Sequence, residues 1–240
     1  TYRFIWRTLL PFLPKNYDIV VLDLLGCGDS DIPLDVSYSI KAHADRLKVF
    51  VEELGFDSFH LIGHDVGGGV TQIFAVNQPE MLKSLTLINS VAYDFWPVQP
   101  IIAMRTPIIR QLAMATLDFG MFRIIVNRGL YKQENLTKEL MDLFWHPMKT
   151  PEGRKAFLHF ARCLDNQNLL DIESDLMELK VPTTIIRGAA DPYLSEKIAY
   201  RLESGIPMSK LHILEGGSHF IQMDLPQELA TIIQESIDGA

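Results

Sequence analysis

Hydrophobic residues along this chain fall into short unbroken runs, separated by stretches that repeat every three to four positions. Five runs, at residues 18–22, 59–62, 85–88, 183–186 and 211–214, are rich in β-branched and aliphatic side chains. Near-continuous apolar runs of this length are what strands covered on both faces look like. Between them, residues 39–54 place Ile40, Ala44, Leu47, Val51 and Leu54 along one helical stripe, and residues 66–76 follow a glycine-rich turn. Strands alternating with helices predict a mostly parallel sheet flanked by helices, an α/β fold.

The alternation lapses between residues 88 and 183. There the pattern reads as helical, with helices expected over 112–125 and 137–145 and with Pro97, Pro100, Pro107, Pro147 and Pro151 as breaks. The expected organisation is therefore a discontinuous α/β core, residues 1–93 and 172–240, interrupted by a helical cap over 94–171.

Composition narrows the function. Thirty acidic residues against twenty-two Lys and Arg give a formal charge of −8, which argues against nucleic acid or an anionic membrane as partner. With 48% apolar and 22% charged residues the chain is an ordinary folded protein, large enough to enclose a pocket for a small-molecule substrate. Only two cysteines, Cys27 and Cys163, are present, and no Cys/His spacing resembles a metal site, so a reduced, cytoplasmic setting is expected. Arg105, Arg110, Asp118 and Arg123 interrupt the most apolar stretch, which excludes a membrane span there, and the first residues carry no signal-peptide pattern.

Candidate chemistry begins after the second run, at Gly63-His64-Asp65-Val66-Gly67-Gly68-Gly69. In a strand–turn–helix context, glycines flanking the central residue allow a tight elbow that pushes its side chain into the space above the sheet. The amide of Val66 and the positive end of the following helix then face any negative charge that develops there. Asp65 occupies the apex. A carboxylate is ionised at neutral pH and attacks an sp3 carbon without a base, but the resulting ester needs water activated by a general base. Two further segments supply the parts in order: Gly188-Ala189-Ala190-Asp191-Pro192 after the fourth run, and Gly216-Gly217-Ser218-His219-Phe220 after the fifth. Asp191 is expected to orient His219, and His219 to deprotonate the water. The alternative for each is ordinary: Asp65 as a helix N-cap, His219 as a turn residue. His64 reads as a scaffold residue of the elbow.

On these motifs the chain resembles the α/β-hydrolase superfamily, in particular the branch with an aspartate nucleophile that includes epoxide hydrolases and haloalkane dehalogenases. The resemblance spans nearly the whole chain and includes the turn at residues 23–31. It implies an α/β-hydrolase fold with an inserted helical cap, the triad Asp65, Asp191 and His219, no cofactor or metal, and hydrolysis through a covalent alkyl ester. Two features depart from the family pattern. A tryptophan usually follows the nucleophile and helps hold a leaving halide; Val66 stands there instead, which favours epoxide over haloalkane chemistry. For an epoxide, cap tyrosines donate to the ring oxygen, and Tyr131 and Tyr93 are the candidates, with Trp145 and Trp96 as further cap residues expected near substrate; Trp6 is not expected to reach it. The second departure is at the start: the family's His-Gly loop, which donates a second oxyanion N–H, and the opening strands are expected to lie outside the chain, making it a fragment or an impaired enzyme. Other readings are a haloalkane dehalogenase, an ester or lactone hydrolase, and a non-catalytic binding protein of the same fold.

Overall fold

A computed structural model describes residues 2–94 and 120–240. Its sheet has four parallel strands, β1 (Phe59–Asp65), β2 (Leu82–Ser90), β3 (Thr183–Gly188) and β4 (Ser209–Leu214), side by side in that order. Four of the five apolar runs become these strands. The two central ones, β2 and β3, are buried almost throughout, as unbroken apolar runs require, while β1 and β4 are only partly covered.

Helices cover both faces. Helix α1 (Ile40–Glu53) starts where the Ser39 hydroxyl accepts the N–H of Ala42, and it buries Ile40, Ala44, Leu47 and Val51; Leu54, the last residue of the expected stripe, lies just beyond it and is exposed. Helix α2 (Val66–Asn77) follows β1 directly and packs with α1 against β1 and β2. The opposite face is closed by the C-terminal helix. Leu229 and Ile233 meet Ile88 and Ile186 there, together with Leu9 from the start of the chain.

Between β2 and β3 the described residues are helical, as the lapse in alternation predicts. Helix α3 (Phe122–Arg128) runs past the expected end at 125, while residues 112–119 of that expected helix lie outside the described residues. Helix α4 (Lys138–Trp145) is capped by Thr137, and α5 (Pro151–Cys163) by Thr150. Two further helices, α6 (Glu196–Gly205) and α7 (Pro226–Asp238), complete the C-terminal part. Among the described residues, no helix is long and apolar enough to cross a membrane.

One expectation fails. Residues 18–22 form no strand, and Ile19 and Val20 are about half exposed. A strand is defined by its ladder. Residues 17–22 line a cavity along β1 and pair with no strand among the described residues, so their apolar character covers that cavity wall instead of a neighbouring strand.

Candidate active site

Because all four strands are parallel, the loops after β1, β2, β3 and β4 gather at one edge of the sheet. Asp65 ends β1 with φ 53° and ψ −121°, a conformation in which L residues are rare, and α2 begins at the next residue. The close approach explains the glycines. A Cβ at Gly63 would stand 2.6 Å from the Gly67 carbonyl oxygen, and one at Gly68 would stand 2.1 Å from Ser90 Oγ. The ordinary reading of Asp65 as a capping residue does not hold, since its side chain makes no capping hydrogen bond to α2. Its carboxylate therefore stays uncommitted at the apex, immediately before Val66, the first residue of α2.

Asp191 and His219 meet in the same region. His219 Nδ1 lies 3.0 Å from Asp191 Oδ2, and both side chains are buried. A carboxylate only accepts, so Nδ1 carries the proton and Nε2 the lone pair. Burial works against charging His219. The hydrogen bond and charge of Asp191, with the charge of Asp65, outweigh it and hold the imidazole above its ordinary pKa. Burial likewise opposes ionising Asp191, but the bond to and charge of His219, and the N–H groups of Tyr193 (2.8 Å) and Leu194 (3.3 Å), keep its carboxyl below the usual range.

Histidine 64 behaves as scaffold. Its Nε2 donates to the main-chain carbonyl of His219, and burial, followed by the charge of His219, pushes its pKa down to about 4. Two side chains that the sequence does not single out also hold the histidine loop. Asn89, at the end of β2, bonds the loop and Gly188 together. Asp224 is fully buried and accepts the N–H of Ser218 (3.0 Å) as well as those of Tyr131 and Lys132 (3.1 Å each), joining the loop to the segment after α3. The N–H of Phe220 adds a bond to the Gly129 carbonyl at 2.9 Å.

A cavity of about 680 Å³ opens beside the elbow. Asp65 and Val66 are in its wall, and Phe122, Phe144, Met148 and Phe157 make it largely apolar. The residues expected to aid an epoxide are not there. Tyr93 has φ 56°, which turns its ring away toward α6; there the Arg201 guanidinium lies 4.1 Å from the ring centroid and the Tyr93 hydroxyl donates to the Arg201 carbonyl. Burial raises its pKa to about 12. The main chain of Tyr131 is fastened by Asp224, and its side chain is 55% exposed and off the cavity wall. Trp145 packs at a tilt against Phe122 and under the Arg154 guanidinium, again off the wall. Trp96 lies outside the described residues. Trp6, in contrast, lines the cavity with Asp65 and meets His64 edge-on.

Comparison with known proteins places this arrangement. A family model described as the alpha/beta hydrolase fold matches residues 3–121. A cis-3-alkyl-4-alkyloxetan-2-one decarboxylase of Shewanella oneidensis is 25% identical over 98% of this chain and 78% of its own length. The 2-hydroxy-6-oxo-6-phenylhexa-2,4-dienoate hydrolase of Comamonas testosteroni is 25% identical over 93% and 78%. Among solved structures, a loop variant of a haloalkane dehalogenase from Bradyrhizobium elkanii superposes with a TM-score of 0.84 at 22% identity, covering 100% of this chain and 86% of that one. An epoxide hydrolase superposes with the same score at 16% identity, covering 100% and 88%. At these identities the two superpositions show a shared fold.

Proposed function

Since the chain belongs to the α/β-hydrolase superfamily, we propose that it hydrolyses small apolar alkyl electrophiles through a covalent ester on Asp65. The observation that carries this reading is the aspartate at the apex of the elbow, left uncommitted by its own helix. In the first step an Asp65 carboxylate oxygen attacks an sp3 carbon, a C–O bond forms, and the leaving group departs with its bonding electrons. His219 Nε2 then takes a proton from water. The hydroxide adds to the carboxyl carbon of the ester, the N–H of Val66 faces the oxyanion, and collapse expels the alkoxide, which takes the carboxyl proton and leaves as the alcohol; Asp65 is restored as a carboxylate and the His219 imidazolium releases its proton to solvent. Asp191 stabilises the imidazolium formed on the way. None of these steps calls for a metal or a cofactor. The helices from 120 to 171 act as a cap over the cavity, and the substrate enters between cap and sheet.

The leaving group follows from the wall of the cavity. With Tyr93 and Tyr131 off that wall, neither supplies the O–H that epoxide opening needs, whereas Trp6 is among the residues that line the cavity together with Asp65. This favours a halide, with an epoxide as the second reading, supported by the fold shared with an epoxide hydrolase.

Intact-protein mass spectrometry of the His219→Gln variant tests the mechanism. Incubation with 1-bromobutane is expected to add the butyl mass, or with styrene oxide the full mass of the epoxide, while Asp65→Asn shows no adduct and no turnover. Absence of an adduct with both probes sinks the alkyl-ester reading. Bromide release against diol formation by the unaltered protein decides between the two leaving groups.

A further inference from the structure

We propose that Asn89 is a positioning residue for His219, its carboxamide setting the distance between the strand that carries the acid and the loop that carries the base. The role of His219 rests on the reading above. Asn89 is the penultimate residue of β2, between the strands that end at Asp65 and at Gly188. Its φ is 38°, in the left-handed region that asparagine tolerates better than most residues, and this turns its side chain across the strand ends.

All three polar positions of the carboxamide are used. Oδ1 accepts the N–H of Gly188 at 2.9 Å, and Nδ2 donates to the carbonyls of Ser218 at 2.9 Å and His219 at 3.0 Å. The orientation of the amide is fixed by its partners, because Gly188 offers a donor and the other two offer acceptors. The grip spans a narrow gap. Gly188 approaches the loop so closely that a Cβ there would stand 2.5 Å from the Ser218 carbonyl oxygen. One planar group therefore holds the main chain three residues before Asp191 and the main chain of His219 itself.

The ring of His219 has one side-chain hydrogen-bond partner, Asp191, and packs against the rings of His64, Tyr193 and Phe220, so its distance from Asp191 depends on where the main chain is held. A displacement of about 1 Å at such a point costs on the order of 10²-fold in rate. Capping the end of β2 alone would need only the bond to Gly188; the two bonds to the histidine loop are what a positioning role requires.

Two variants separate these roles. Asn89→Asp keeps an acceptor for Gly188 and loses both donors, while Asn89→Gly keeps the left-handed backbone and loses the side chain. In folded samples of both, the low-field proton resonance of His219 Nδ1–H is expected to be lost to solvent exchange, and kcat for the bromoalkane is expected to fall by roughly 10²-fold with KM falling alongside it, because His219 acts only after Asp65 has been alkylated. A retained His219 resonance in both folded variants overturns the proposal. Should neither variant fold, the unaltered protein decides: its Asn89 side-chain amide protons are expected to exchange far more slowly than those of exposed carboxamides, and exchange at the exposed rate overturns it as well. The resonance needs no substrate. A protein that shows it, loses it in the variants and yet forms no adduct refutes the alkyl-ester mechanism and leaves the role of Asn89 in place.

Discussion

The imidazole Nε2 of His64 lies 2.9 Å from the main-chain carbonyl oxygen of His219, so the residue before the elbow apex supports the backbone of the residue paired with Asp191. A carbonyl only accepts, which fixes His64 as the neutral Nε2–H tautomer, with Nδ1 buried and unpartnered among the described residues. Charging this ring would place the second proton on buried Nδ1, beside His219, while the Nε2–H bond itself would stay intact.

A pH dependence of stability follows. His64 has a folded pKa of about 4 against roughly 6.5 unfolded, and buried His43 has the same folded value. Between these limits the unfolded chain binds more protons, so stability falls as pH drops from 6.5 to 4, by about 3 kcal/mol for each ring. His219, raised by Asp191, works the other way: its contribution is present below pH 6.5 and is lost as pH rises through its folded value. That loss lies above pH 6.5 and does not offset the decline below it. Urea midpoints are expected to decline from pH 6.5 to 4.5, and a flat profile would count against the buried neutral state of His64 and His43.

Strain at the elbow predicts a trade between stability and activity. Asp65→Gly places the one residue that accepts φ 53° and ψ −121° freely at the apex. Relief of about 1–3 kcal/mol, less roughly 1 kcal/mol of glycine entropy, leaves a net gain of about 1 kcal/mol. Thermal or urea denaturation checks the gain, and turnover should be lost completely. A variant less stable than the parent would show that the apex is not strained.

Packing of α2 on β2 leaves no space at Gly68. In Gly68→Ala the new methyl would lie 2.1 Å from Ser90 Oγ and 2.6 Å from Ser90 Cβ, and overpacking of this kind costs about 1–3 kcal/mol. Removing the obstacle should restore part of the loss. In a double-mutant cycle with Ser90→Gly, a coupling of at least about 0.5 kcal/mol in the rescuing direction is expected; additive losses would contradict the contact.

Asp224 ties three main-chain N–H groups from two separate segments. Asp224→Ala strips all three and is expected to cost about 3 kcal/mol or more, while Asp224→Asn retains an acceptor and should cost less. Hydrogen exchange supplies the sharper readout. The amides of Ser218, Tyr131 and Lys132 should lose protection together in Asp224→Ala, and loss at only one segment would mean the carboxylate does not couple them.

Much of the architecture is readable from local pattern. Runs destined for β2 and β3 are apolar without alternation because both faces are covered, and the glycines around Asp65 announce an elbow because only glycine fits against Gly67 and Ser90. The order Asp65, Asp191, His219 is legible because each residue closes a strand or follows one. What the pattern lacks is direction. Nothing local signals that Tyr93 takes φ 56° and turns toward Arg201, or that residues 18–22 face a cavity instead of a ladder partner. Asn89 and Asp224 grip groups more than eighty residues away, so no spacing rule reveals them; the one available hint is that an asparagine ending a strand suits positive φ. Trp6 is missed because its distance along the chain from Asp65 conceals their shared cavity wall.

The cavity wall formed by residues 17–22 has a consequence for the behaviour of the chain in solution. Strand β1 has a ladder partner on one side only, β2, among the described residues. Its other row of main-chain N–H and C=O groups borders the cavity, and exposed Leu10, Ile19 and Val20 line the same cavity. An open edge flanked by apolar side chains is a template for adding strands from other molecules. Residues 1–240 taken alone should therefore self-associate through β1 at high concentration, and a lysine introduced along that edge should keep the copies apart.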